Sequence, residues 1–340
     1  MAGTIKEFQG TGEERREVAR FLADFMRRGE LSNPRHGDDE EAHWEQRFRW
    51  WWDENPMCRP ESPLGFLLYS GEQIVGFNGF IPLDYAIDDE TVPTLLATTF
   101  FVEEKHRDSV LGMLARLRRL GNEYQIIDGS PSEPMREILG KMGFEKEDER
   151  YQYFFPLKTL GGQVTQPILH QFGLSLPLGH SLAPGSYMAV TPEEVESFPK
   201  IRDGKLRRSL SVESLQWLIS VGSEPRSFFG LCDAQGQLQS YAIGVYKERF
   251  GLKACMLLDS CDFTPEQNGL ENLLSFLTKD PESAGVLSGT DLITWSVLDS
   301  GERPKPAGLR RGSILHYSLP RYRSACRRAS VPFESDIPLL

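Results

Sequence analysis

The sequence predicts an α/β (α+β) protein of two domains, each a mixed central sheet flanked by helices. Three observations carry that prediction: the length, a strand, turn and helix order in the first half, and the return of that order in the second. At 340 residues the chain can bury two cores at about 150 residues per domain. With 39% apolar and 26% charged residues it has the composition of a folded globular chain rather than a disordered one.

From Glu13 to Arg28 the apolar residues Val18, Phe21, Leu22 and Phe25 fall three and four apart, which lines one face of a helix. The acidic stretch Gly37 to Glu41 leads into Trp44, Phe48, Trp50, Trp51 and Trp52. A second helix is predicted there, stopping near Asn55-Pro56 because the residue before a proline is driven out of the α region. Consecutive tryptophans on a helix face different directions, so at least one is core. Gly65 to Tyr69 and Gln73 to Pro82 are apolar runs joined by Ser70-Gly71-Glu72, a β-hairpin signal. Leu95 to Val102 reads as a third strand. A charged turn follows it, then a helix over Asp108 to Leu120 with Leu111, Leu114 and Leu117 inward. Tyr124 to Asp128 is predicted as a strand, Ser132 to Met142 as a helix closed by Gly143, and Tyr151 to Leu157 as a last strand.

Residues 160–186 hold Gly161, Gly162, Pro167, Pro177, Pro184 and Gly185 without an apolar period and are read as a linker. The expected domains are therefore 1–160 and 187–340. The second repeats the first: Leu215 to Ile219 around Trp217, Ser227 to Cys232, a turn at Asp233 to Gly236, Gln237 to Tyr246, Cys255 to Asp259, and a helix at Leu270 to Leu277. With Trp52 set beside Trp217, Ile74 falls within one residue of Leu238, the mark of an internal repeat.

The formal charge of −11 makes the average surface repel nucleic-acid and lipid phosphates, so no nucleic acid and no membrane are expected as partners. Cys58, Cys232, Cys255, Cys261 and Cys326 show no C-x-x-C pair and read as reduced thiols. The histidines show no ligand spacing, so no metal is expected. The charged N-terminal segment lacks an apolar h-region and no run of 18 apolar residues follows, which places the chain in the cytoplasm as an expectation.

Chemistry is concentrated in the stretch from Phe100 to Leu114, where a strand ends in a charged turn that opens a helix. A helix N-terminus presents backbone N–H groups and the positive end of the helix dipole, which suits a diphosphate without a lysine-rich patch. The stretch resembles the acyl-CoA-binding signature of the GNAT superfamily, Q/R-x-x-G-x-G/A after a strand. Arg107 stands at its first position, Val110 replaces the first glycine and Gly112 matches the last. Met135 to Phe144, ending in Gly143-Phe144, looks like a second segment of that family, and the resemblance covers residues 1–157.

The resemblance implies two GNAT-like domains and an N-acyltransferase that uses acetyl-CoA as co-substrate and a small-molecule or peptide amine as acceptor. It implies a donor site formed by Phe101, Val102, Arg107, Asp108, Ser109, Val110, Leu111 and Gly112, with Phe100, Phe101 and Val102 giving a strand edge to the pantetheine arm. Acyl transfer needs a neutral amine, a stabilised oxyanion and a proton for the departing thiolate. Where many relatives carry a proton-donating tyrosine this chain has Leu139. Ser130 and Ser132 are the hydroxyl candidates for that task, beside their alternative as helix caps. Glu103 is the candidate base, with Glu104 beside it. His106 adjoins the turn without a carboxylate partner in sequence. The loop Asp262 to Leu270 looks like a copy of the donor loop that lacks its arginine, and the domain interface is the expected acceptor site. The basic C-terminal positions Arg310, Arg311, Arg321, Arg323, Arg327 and Arg328 fit an acidic ligand or a self-paired face. Two other readings remain open: a GNAT-like module that binds acyl-CoA without turnover, for which Val110 and Leu139 speak, and a Fem-type aminoacyl transferase.

Overall fold

The computed structural model describes residues 3–28, 40–128, 131–146, 150–171, 188–195, 198–220, 224–249, 251–264, 269–298, 309–311 and 315–317. Strand β1, Thr4–Glu7, precedes helix α1, Gly12–Arg27, which opens with Thr11 accepting the Glu14 amide and buries the predicted face of Val18, Phe21, Leu22 and Phe25. Helix α2, Glu40–Phe48, runs into a π turn over Arg49–Asp53. Trp50, Trp51 and Trp52 are all buried in it, so the core takes all three tryptophans.

The predicted hairpin is β2, Gly65–Ser70, and β3, Gln73–Ile87, with Gly71 at φ +65 in the turn, a conformation glycine adopts without a Cβ penalty. Strand β4, Glu90–Val102, is followed by a 3₁₀ turn, Glu104–Ser109, and by α3, Val110–Leu120. Met113, Leu114 and Leu117 are buried on α3, but Leu111 is 62% exposed, contrary to its predicted inward place. Each three-residue step falls about 60° short of a full turn, so a strict i, i+3 series rotates off the buried face. Strand β5, Gln125–Asp128, and α4, Glu133–Lys141, follow, with Gly143 at φ +91 after the helix. Next come β6, Glu145–Lys146, and β7, Arg150–Pro156.

The segment read as a linker begins with a helix instead, α5, Leu160–Gln171. The rest of the predicted linker, 172–186, lies outside the described residues. Gly162 sits where a Cβ would overlap the Leu157 carbonyl oxygen, and Thr159 donates to Asp291 at 2.6 Å, so the glycines mark a close approach rather than a flexible connection.

The second half comprises β8, Met188–Val190, β9, Leu206–Arg208, α6, Val212–Ser220, β10, Arg226–Cys232, and β11, Leu238–Arg249. Strand β12, Leu252–Asp262, α7, Gly269–Lys279, β13, Leu292–Leu298, β14, Leu309–Arg311, and β15, Leu315–Tyr317, complete it.

One sheet has the order β1-β2-β3-β4-β5-β15-β6, with β9 on β3, and the other the order β14-β7-β13-β12-β11-β10-β8. In each, an antiparallel meander (β2-β3-β4, β10-β11-β12) leads through a helix to a parallel neighbour, β4 with β5 and β12 with β13. The sheets also exchange strands. β7, predicted as the last strand of the first half, pairs with β13 from Arg150↔Leu298 to Pro156↔Leu292, while β15 enters the first sheet between β5 and β6.

The largest core lies between the first sheet, α1 and α2, and continues to Trp217, Tyr241 and Ile243 of the second half. Trp217 stacks on Trp50 with centroids 5.0 Å apart and donates its indole N–H to the Trp50 carbonyl at 3.0 Å. Nearby, Arg208 on β9 meets Asp259 on β12 at 3.1 Å, and the Tyr241 hydroxyl donates to the same carboxylate at 3.0 Å. Burial works against the Arg208 charge, but Asp259, Tyr85 and Tyr241 outweigh it and hold its pKa above the ordinary value. Among the described residues, further cores lie under α7, under α3 and α4, and, smaller, around Val195, Cys232 and Leu238.

Candidate functional site

Among the described residues, strands β4 and β5 are paired in parallel from Thr94↔Gln125 to Ala97↔Asp128. β4 then continues against β3 as far as Gly76↔Val102, and among the described residues no strand pairs with its other edge there. Beneath α3 and α4 the parting strands open a cleft of about 330 Å³. Leu114, Leu117, Met135 and Leu139 make it apolar, while Asn78, Thr98, Thr99, Asp128 and Ser132 bring polar groups to it.

The strands are distorted at this point. Register slips between Phe77 and Gly79, and Thr99 has φ +54, a left-handed conformation that costs a residue with a Cβ about 1–2 kcal/mol. The Thr98 and Thr99 hydroxyl oxygens lie 3.2 Å apart. Asn78 is 1% exposed, and neither its Nδ2 nor its Oδ1 has a hydrogen-bond partner. A cleft with a strand edge unpaired among the described residues, apolar walls and a buried carboxamide fits an extended chain that carries amide groups, which the pantetheine arm of coenzyme A does.

Of the predicted donor-site residues, Phe101 lines this cleft, its ring 5.4 Å from Phe25. Val102 ends β4. The Glu103 amide donates to the Val75 carbonyl at 2.9 Å, and its carboxylate pairs with Lys105 at 3.0 Å. The turn that follows is at the surface, with Glu104, Lys105, Arg107 and Asp108 exposed, but it winds on itself. His106 donates its amide to the Glu103 carbonyl at 2.9 Å and Val110 donates to the Arg107 carbonyl. The outward row of amides that the motif implies is therefore not formed at these two positions, because residues 104–109 wind into a 3₁₀ turn that runs directly into α3.

Arg107 pairs with Glu104 at 3.6 Å. Ser109 occupies the cap position of α3 without a capping bond and lies 3.5 Å from Asp108 Oδ1. Val110 packs half-buried into the cluster under α3, so its isopropyl group does not stand in the turn. Leu111 is exposed, and a Cβ on Gly112 would meet Ile5 Cδ1 at 2.9 Å, which ties that glycine to packing against β1. Ser132 lines the cleft at the N-cap of α4 without a side-chain capping bond. Ser130 lies outside the described residues. Asn78, Thr98, Thr99 and Asp128 were not singled out from sequence. The available signal was one asparagine in the apolar run of β3 and a threonine pair late in β4.

In the second half, Asp262 accepts the Thr264 amide and the Leu270 amide, both at 3.0 Å. Its carboxylate thus occupies the N-terminal end of α7, the place an external anion would need. Residues 265–268 of that loop lie outside the described residues. A second cavity, of about 270 Å³, lies between the halves and is lined by Thr91, Lys200, Arg207, Tyr241 and Cys261 among others. It adjoins the opposite end of β4 from Thr99 and shares no lining residue with the first. Of the basic C-terminal positions, Arg310 and Arg311 lie on β14 and the remaining four outside the described residues. Among the described residues no group of three or more His, Cys, Asp or Glu is arranged to hold a metal ion, and no helix is long and apolar enough to cross a membrane.

The sequence matches no protein-family model and no curated protein. The fold, in contrast, is shared with solved structures. A probable N-acyltransferase of unknown function from Enterococcus faecalis V583 superposes with a TM-score of 0.60 at 12% identity, over 96% of this chain and 75% of that one. A GCN5-related N-acetyltransferase from Anabaena variabilis ATCC 29413 gives 0.56 at 11% identity, over 92% and 72%. Eis1 from Mycobacterium abscessus gives 0.51 at 12% identity, over 94% and 74%. At such identities the likeness is one of fold.

Proposed function

We propose, from the GNAT fold that this chain has, that it is an N-acyltransferase moving an acyl group, acetyl in the first instance, from a coenzyme A thioester to an amine. The observation that carries this reading is that β4 runs on past Ala97↔Asp128 to Val102 with no partner on its β5 side among the described residues. A strand edge left without a neighbour pairs with an extended amide-bearing chain as it would with another strand. Phe101 and Val102 lie on the part of β4 that leaves β5. The diphosphate is assigned to the turn beyond, with Arg107 as its cation, Asp108, Ser109 and Val110 around it, and the N-terminal turn of α3 at Leu111 and Gly112 supplying its dipole.

In the transfer the amine nitrogen attacks the thioester carbonyl carbon, the carbon–sulfur bond breaks, and the sulfur takes up a proton as the amine gives one up. Ser132, whose hydroxyl makes no capping bond at the cleft, is the proposed proton donor to sulfur. Glu103, at the end of β4, is the proposed acceptor of the ammonium proton. The acceptor is proposed to be a small-molecule or peptide amine. Residues 1–160 are proposed as the half with the donor site and 187–340 as its tandem copy, joined through 161–186. The copy would have lost its site, since Asp262 fills the anion position at α7.

Binding without turnover is the second reading. It is favoured by Leu139, 1% exposed in the cleft, where relatives place a proton-donating tyrosine. Calorimetry with acetyl-CoA, followed by thiol release across a panel of amines, decides between the two. Binding with release supports the transferase, and binding without release for every amine supports the second reading. No binding to the wild type, or unchanged affinity in Arg107→Glu, rejects the donor site as assigned.

A further inference from the structure

We propose that the Asn78 carboxamide is a specificity contact inside the cleft, pairing with the secondary amides of the acyl donor's extended arm; the inference rests on the acyl-CoA reading. Val75 and Phe80 face the core under α3 and α4, and Phe77 faces the opposite core. The register slip between Phe77 and Gly79 leaves Asn78 opposite the bulge at Thr99 and lining the cleft. Two unfavourable features thus meet at one spot. One is a threonine at φ +54, and the other is a 1% exposed carboxamide with both ends unpartnered. Each is a cost to a fold that gains nothing from it. Gln125 is likewise buried with both amide atoms unpartnered, but it does not line the cleft, so it selects no ligand.

The chemistry of the group narrows the ligand. A carboxylate would satisfy Nδ2 and leave Oδ1 desolvated, and an ammonium would do the reverse. An arm with two secondary amides can give the C=O of one to Nδ2 and the N–H of the other to Oδ1, and so satisfies both. The remaining wall, Leu114, Leu117, Met135 and Leu139, matches methylene groups on either side of such an amide and excludes the water that would compete for it.

The test uses the full chain with Asn78→Leu and Asn78→Ala, isothermal calorimetry with coenzyme A and with acetyl-CoA, and melting temperatures without ligand. Both variants are expected to bind both ligands about 10- to 100-fold more weakly, while Asn78→Leu melts at or above the wild-type temperature because an unpaired polar group has been removed. A purely structural asparagine would not weaken binding in a variant of undiminished stability. Unchanged affinity in both variants, with a wild type that binds, overturns the role of Asn78 and leaves the donor reading standing. Loss confined to acetyl-CoA places the contact on the acyl group and overturns the amide pairing. Weakened binding accompanied by a lowered melting temperature in both variants also overturns it. A wild type that binds neither ligand overturns the donor reading and this inference with it.

Discussion

Replacing Arg208 by methionine is expected to cost about 3–5 kcal/mol near neutral pH, the penalty for leaving one member of a buried ion pair behind. The geometry warrants the upper part of the ordinary range. The two side chains are 2% and 0% exposed, 3.1 Å apart, so water cannot replace the lost guanidinium. The Tyr241 hydroxyl and the Ser260 backbone then remain as donors to Asp259. The pH dependence follows from Asp259, whose pKa burial already holds above the ordinary carboxylate value against the pull of Arg208. A carboxyl group that is harder to ionise in the fold than in the unfolded chain takes up a proton on folding. The penalty in Arg208→Met is therefore absent below the unfolded value of about 4 and grows as pH rises through the folded one. The double replacement Arg208→Met with Asp259→Leu removes both charges and is expected to return to within about 1 kcal/mol of wild type, or to exceed it. Guanidinium midpoints followed by tryptophan fluorescence at several pH values provide the measurement. A single-variant deficit below about 1 kcal/mol at pH 8, or one that does not shrink with acidification, would mean that Asp259 is not left as an uncompensated buried charge.

Thr99→Gly relieves a left-handed residue of about 1–2 kcal/mol at an entropic cost of about 0.5–1 kcal/mol. It should leave the melting temperature unchanged or slightly raised, and a clear fall would show that the threonine side chain holds the bulge. Gly162→Ala forces a methyl group against the Leu157 carbonyl and should lower the denaturant midpoint by the equivalent of about 1–3 kcal/mol or more. Cys255 and Cys261 are pushed up to about 12, chiefly by burial, so a thiol reagent at pH 8 should reach them only on unfolding, faster labelling at the half-buried Cys58 being the native control. Because these thiols ionise less readily folded than unfolded, their contribution to stability is present below about pH 8.5 and is lost as pH rises toward 12. Urea midpoints measured from pH 8 to 11 should fall accordingly.

What could be read from the chain was local. The hairpin of β2 and β3 follows from alternation and a glycine turn, and α1 from a three-and-four spacing with Thr11 at its cap. Helix α5 escaped notice because Pro167 and two glycines spoke for a loop. Its apolar residues Leu160, Val164 and Ile168 recur every four positions, yet they point to solvent, so they are not part of the core that such a spacing usually serves. Sequence order says which segments are strands but not which sheet receives them, and β7 and β15 were beyond its reach for that reason. At the candidate site the strand, turn and helix were legible, as was the serine of α4. The orphaned state of Asn78 was not, since desolvation depends on what packs around a residue, and neither was the use of Gly112 to admit Ile5.

The placement of β15 between β5 and β6 bears on how the protein is made. While the ribosome is still translating the second half, the nascent first sheet already holds β5 but lacks its neighbour, which emerges only near residue 315. At roughly 5–20 residues per second that edge waits on the order of ten to forty seconds, bare to chaperones or to another nascent chain. Expressed alone, residues 1–160 would carry this vacancy permanently and would bring with them β7, a strand whose partners among the described residues, β13 and β14, lie in the missing half.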